Sequence, residues 1–85
     1  MPAIARVGDG HDCPKHGSNT ITQGGSGEVD GRAIARLGDA CACGAVIAEG
    51  SSVAELDGKP VAYLGCKTSC GGTISSGSDT GEVPA

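Results

Sequence analysis

Apolar and polar positions alternate along this chain in short runs, and the alternation restarts three times. Ile4, Arg6 and Gly8 lie on one side of a two-residue period and Ala5, Val7 and Asp9 on the other, the pattern of a short strand. The segment Ala3-Ile4-Ala5-Arg6-Val7-Gly8-Asp9 returns as Ala33-Ile34-Ala35-Arg36-Leu37-Gly38-Asp39, identical at six of seven positions. A looser third copy is Pro60-Val61-Ala62-Tyr63-Leu64-Gly65-Cys66. Asp30-Gly31 and Asp57-Gly58 each sit between short alternating segments and predict type I′ hairpin turns, in which both central residues need positive φ. No ten-residue stretch free of Gly, Pro and Ser clusters places apolar residues at i, i+3 and i+4, so no substantial helix is expected.

The repeats set the architecture. The first and second copies are 30 residues apart and the second and third 27, so the first unit carries three extra residues. These fall in its loop Gly10-His11-Asp12-Cys13-Pro14-Lys15, which faces Ala40-Cys41-Ala42 and Lys67-Thr68-Ser69 in the other units. Beyond that loop His16-Gly17, Cys43-Gly44 and Cys70-Gly71 align, as do Glu28, Glu55 and Glu82. The three glutamates are expected on a solvated face. A unit of two or three short strands has no second layer on which to bury a face, but three such units around one axis do. The expected fold is therefore all-β, a pseudo-three-fold β-prism in a single domain over residues 1–85, with repeats at about 2–31, 32–58 and 59–85. A high glycine content fits strands that approach one another closely.

Composition then limits the function classes. Six Lys+Arg against ten Asp+Glu leave a formal charge of −4, the wrong sign for a chain that neutralises phosphates, and Tyr63 is the only aromatic residue. No nucleic-acid partner is expected. The longest apolar runs, Ala45–Ala48 and Val61–Leu64, are far short of the ~20 residues of a membrane span. The start of the chain lacks the apolar segment of a secretory signal, so synthesis in the cytosol is expected. Val, Ile, Leu and Phe together supply only fourteen of the 85 residues. A chain so short and so poor in large apolar groups needs a cross-link, a metal or a partner.

Five cysteines and two histidines are the available supply. His16, Cys43 and Cys70 are one equivalent position in the three units, and a three-fold arrangement brings such positions together if they face inward. Three N/S ligands suit zinc, which takes four in a tetrahedron, one ion per chain. The fourth must come from outside the repeat, and the longer first loop offers it through His11, the preferred candidate, or Cys13, with Cys41 a third choice. Closed four-ligand coordination leaves no open position for water, so the metal is expected to be structural and the chain not an enzyme. Cys13 with His16 as nucleophile and base lacks a legible orienting group. An odd cysteine count and no secretory signal argue against a disulfide framework. Cys66, which replaces the aspartate of the other units, reads as a packing thiol.

The run Pro2-Ala3-Ile4-Ala5-Arg6-Val7-Gly8-Asp9-Gly10-His11-Asp12-Cys13-Pro14, continuing to His16-Gly17, resembles the PAAR-repeat proteins. The Cys43-Gly44 and Cys70-Gly71-Gly72 loops and the Gly-Ser turns extend the resemblance to about Val83. The name-giving motif is present only loosely, as Pro2-Ala3-Ile4-Ala5-Arg6 and Arg32-Ala33-Ile34-Ala35-Arg36, and Cys70 stands where that family usually has a histidine. The resemblance implies a conical domain, one monomer on the blunt end of the trimeric VgrG β-helical spike of a type VI secretion system. It implies a zinc near the point, sharpening of the spike for transient contact with a target membrane, and linkage of effector proteins. It also implies assembly on the secretion apparatus in the bacterial cytoplasm and export to the target cell. Too few residues follow the last Gly-Ser turn for a fused toxin, so an effector would ride non-covalently. A phage-like contractile tail-tip protein is the nearest alternative, and a small zinc- or thiol-based metal-binding protein a more distant one.

Overall fold

Each repeat opens with a tight turn that its sequence requires. The Asp9 N–H donates to the Arg6 carbonyl, Asp39 to Arg36 and Cys66 to Tyr63, all at 3.0 Å. The third residue of each turn is Gly8, Gly38 or Gly65, with φ of +93°, +89° and +93°. Only glycine takes that conformation without strain, as in the third position of a type II turn. The computed structural model describes residues 2–84; Met1 and Ala85, the outermost residues of the expected domain, lie outside the described residues.

The alanine that precedes each turn meets its two counterparts. Ala35 N–H donates to the Ala5 carbonyl at 2.9 Å, Ala62 N–H to Ala35 at 2.9 Å, and Ala5 N–H to Ala62 at 3.1 Å. The ring closes on itself, and all three alanines are fully buried. A second cycle runs outside it: Val7 N–H to the Ala33 carbonyl, Leu37 to Pro60 and Leu64 to Ala3, at 2.8–2.9 Å. Each turn glycine in turn donates to an isoleucine carbonyl, Gly8 to Ile21, Gly38 to Ile47 and Gly65 to Ile74. These isoleucines are the largest apolar side chains fully withdrawn from water, and with the three alanines, Cys41 and Cys66 they form the core. The expected close approach of strands occurs at Gly24, Gly50 and Gly77. A β-carbon there would lie 2.9, 2.6 and 2.9 Å from the side chains of Ala33, Pro60 and Ala3.

The regular elements are short strands, and no helix occurs among the described residues. β1 (Gly10–Cys13) pairs antiparallel with both β2 (Gly17–Thr20) and β7 (Thr73–Ile74), giving the sheet order β2-β1-β7. β3 (Glu28–Val29) pairs with β4 (Arg32–Ala33), and β5 (Glu55–Leu56) with β6 (Lys59–Pro60). The two hairpins turn at Asp30-Gly31 and Asp57-Gly58, both with φ of 56° and 77°, as the dipeptides predict. In the third unit the bridge Ala3↔Glu82 and the bond from Val83 N–H to the Pro2 carbonyl, 3.0 Å, hold the two ends of the chain in the same pairing. Glu28, Glu55 and Glu82 are all exposed, as expected.

Two of the three sides carry an arginine clamped between aspartates. Arg6 bonds Asp9 at 2.9 Å and Asp30 at 3.0 Å, and Arg36 bonds Asp39 at 2.9 Å and Asp57 at 3.1 Å. In the third unit Tyr63 replaces the arginine, and its N–H donates to Cys66 Sγ at 3.4 Å, where the other units use a carboxylate. Cys66 is fully buried, a packing thiol as its position implies. Burial pushes the Asp9 carboxyl up, but hydrogen bonds from the Arg6 side chain and N–H outweigh it and hold the group below the ordinary range. Hydrogen bonds from Ser78 and Thr80, with Arg6, do the same for Asp30, and those from Ser26, with Arg36, for Asp57.

Two outcomes follow from this packing. Ala62→Leu forces a side chain into a place where backbones meet, and is expected to lower stability in denaturant titrations by about 1–3 kcal/mol or more. Leu64→Ala, on the exposed turn beside it, is expected to stay within about 0.5 kcal/mol of the parent. A carboxyl whose folded pKa is depressed stabilises the fold above its unfolded pKa and loses that contribution as pH falls through the folded value. Stability is therefore expected to fall below about pH 4. Asp9→Asn should lower the midpoint at pH 7 and flatten this acid limb; an unchanged limb would remove the Arg6 clamp from the account.

Candidate metal centre

Strand alternation places His11 and Cys13 on the same side of β1, both buried, with exposed Asp12 between them. Cys43 and Cys70 come from turns of one design. Gly44 N–H donates to the Cys41 carbonyl and Gly71 N–H to the Thr68 carbonyl, each at 3.0 Å, with Gly44 and Gly71 at φ of +90° and +87°. The sulfur atoms of Cys13, Cys43 and Cys70 all lie within 4.8 Å of one another. In a tetrahedron of Zn–S bonds of about 2.3 Å, sulfurs stand roughly 3.8 Å apart, so a small contraction around one ion suffices. The residues fit a zinc-like cation.

His11 lies against this group. Its Nδ1 is 3.8 Å from Cys43 Sγ and its Nε2 3.8 Å from Cys70 Sγ. The ring is fully buried, with Nδ1 3.1 Å from Asn19 Oδ1 and Nε2 2.7 Å from Thr68 Oγ1. Glycine at position 72 makes room for it: a β-carbon there would stand 2.1 Å from the Asp12 carbonyl oxygen and 2.9 Å from His11 Nε2.

The thiols differ by environment. Hydrogen bonds from the Cys13 thiol and then from the Thr68 hydroxyl lower the Cys70 pKa to about 6, against the opposing effect of burial. Burial raises Cys13, and its bond to Cys70 adds to that. The two neighbouring thiols are thus shifted in opposite directions, Cys70 toward the thiolate that a cation requires. Cys41 is pushed up to about 11 by burial, then by the neighbouring thiols, and Cys66 is raised by burial. These two belong to the apolar core and not to the cluster.

Of the residues singled out from the sequence, the structure groups Cys13, Cys43 and Cys70 and sets His11 against Cys43 and Cys70. It does not bring His16 to them. His16 stands exposed in the three-residue loop Pro14–His16 between β1 and β2, and Cys13 occupies the inward place in the first unit. The reason lies in the register Cys13↔Gly17: the extra residues form a hairpin loop that carries His16 outward. Alignment on the glycine that follows each candidate ligand put the insertion before His16. Placing it after Cys13 would have aligned Cys13 with Cys43 and Cys70. Asn19 was not singled out; its signal is the hairpin register, which sets it opposite His11.

A zinc titration of chelator-treated protein is expected to saturate at one ion per chain and to protect Cys13, Cys43 and Cys70 from alkylation. Cys70→Ser should lose at least tenfold in affinity. His16→Gln and Cys41→Ser should bind zinc as the parent does. Loss of binding in His16→Gln would restore the ligand set first read from the repeats.

No curated protein matches the chain. A model of the PAAR motif matches residues 2–49, just over half of its length. That span holds the first repeat and most of the second, with His11, Cys13, His16 and Cys43, and ends before Cys70. The chain belongs to the PAAR-motif family.

Proposed function

We propose that the chain is the tip of a type VI secretion spike, one monomer capping the blunt β-helical end of a VgrG trimer. The observation that carries the reading is the closed ring of hydrogen bonds through Ala5, Ala35 and Ala62. Equivalent residues of three units meet cyclically there, so one chain can offer three similar sides to three identical subunits. Short strands ending at such sides are suited to continue a partner's sheets by strand addition. Membership of the PAAR-motif family supports the same role.

In this reading one metal ion, zinc by the chemistry of its donors, is held by Cys13, Cys43, Cys70 and His11. It fastens loops from all three repeats, and its binding free energy adds to folding free energy. Four protein ligands leave no position for substrate, so the role is structural and not enzymatic. The chain is made in the bacterial cytoplasm, assembled on the secretion apparatus and carried into the target cell, touching its membrane in transit. Effectors are carried with it.

Native mass spectrometry of the chain mixed with the C-terminal β-helix of a VgrG trimer from the same genome tests this. The expected species is one chain and one metal ion on each trimer. Free components only would overturn the capping role. Binding solely to a phage-type tail spike would move the chain to that machine.

A further inference from the structure

We infer that one of the three sides of the molecule, the one built around Tyr63, is the docking surface for a single carried protein; the inference rests on the spike-tip reading above. Each side joins the turn of one repeat to a strand returning from another. The joining bonds run from Ser75 N–H to the Gly10 carbonyl, Thr22 to Ala40 and Ala48 to Lys67, at 2.9–3.0 Å. The sides can therefore be compared position by position. At the centre of the first two, the Arg6 and Arg36 N–H groups donate to the carboxylates of Asp9 and Asp39 at 2.8 Å; on the third, Tyr63 donates to Cys66 Sγ. Ser78 Oγ donates to Asp30 on the first side, whereas on the third Ser51 Oγ donates to the Pro84 carbonyl. Thr80, bonded to Asp30 at 2.7 Å, has Val53 as its counterpart, since each donates its N–H to the serine two residues before it. Val46 accepts from Ser69 N–H where Thr20 accepts from Ala42, and Thr73, opposite Asp12, holds the same place on the first side.

Each of these exchanges removes a charge or a hydroxyl, and all of them fall on the third side. Among the described residues the exposed large apolar side chains are Val53, 69% exposed, Leu64, 42%, and Val46, 39%, and all three belong to that side. The counterparts of Leu64, Val7 and Leu37, are half-buried. Apolar residues scattered over a surface need no explanation, but their collection on one side while ion pairs seal the other two marks an interaction surface. A three-fold spike would meet three sides alike, so it is not the occupant of this one. A second copy fits poorly, because each chain carries a formal charge of −4. Two exposed carboxylates also border this side, with one lysine, Lys67. Glu49 accepts from the Lys67 N–H at 2.9 Å, and Glu82 pairs with Ala3, whose carbonyl accepts from Leu64. The occupant that fits is a different protein with an apolar surface edged by Lys or Arg. The side occurs once per chain, so one spike carries one such protein.

The test is made in the bacterium that encodes the chain, with its gene deleted and replaced by the parent or a variant, and exported proteins quantified by mass spectrometry. Deletion is expected to abolish VgrG export. The triple variant Val46→Thr, Val53→Thr, Leu64→Ser is expected to keep VgrG export at the parent level and to lower another exported protein about tenfold or more. That protein, purified, should bind the parent chain one to one, more weakly at high salt, and should not bind the triple variant. Thr20→Val, at the matching position of the second side, should export every protein as the parent does. Val53→Glu alone should act in the same direction as the triple variant, and stands in should that variant not fold. Parent-level export of every protein by these variants overturns the docking side and leaves the tip reading intact. A parent dimer in sedimentation that the triple variant lacks gives the side to a second copy, and overturns it as well. Unchanged VgrG export on deletion overturns the tip reading and this inference with it.

Discussion

Ala5, Ala35 and Ala62 hydrogen-bond to one another in a closed cycle, and the rest of the molecule is arranged around that constraint. Each alanine N–H is satisfied by one neighbouring repeat and each carbonyl by the other. An unmade buried hydrogen bond costs about 1–3 kcal/mol, so no repeat can keep its central strand alone. Backbones that meet this closely leave room for a methyl group and little more, which explains how a chain with so few large apolar side chains has a fully buried centre. The three isoleucines, Ile21, Ile47 and Ile74, fill the next level, held by the turn glycines that follow the ring.

Departures from the repeat lie at the edges of this arrangement and carry its chemistry. Two sides clamp an arginine between aspartates, while the third substitutes Tyr63 and Cys66. Where the pairing of Glu82 with Ala3 stands in for a third hairpin, no Asp-Gly turn joins the strands. The three-residue insertion in the first unit becomes the β1–β2 hairpin, whose inner face brings Cys13 and His11 to two turn cysteines. A metal there would join loops that share little apolar core of their own, so the most polar part of the molecule would gain most from it.

Much of the fold was legible in the sequence because its signals are local. The Asp-Gly hairpins, the turn glycines, the absence of helix among the described residues, the exposed glutamates and the buried Cys66 each follow from backbone preference or from a repeat position. The site was legible in part. Cys13, Cys43 and Cys70, all candidates by residue type, converge, and His11 lies against two of them, whereas His16, the expected inward residue of the first unit, is exposed. A repeat alignment says how many residues were inserted and not on which side of Cys13 they lie. Strand register decides that, and it flips a side chain from one face to the other for each residue of slip.

By itself the sequence determined the β-class, the recurrence of the turn segment and the residue types able to bind a soft cation, because periodicity and turn chemistry act within a few residues. Only the tertiary structure decided which thiols converge, which of the five are merely core, and that an asparagine stands behind the histidine. Those choices depend on distances between residues up to 59 apart in the chain, as Cys70 is from His11, and they are set by the pairing of strands across the axis.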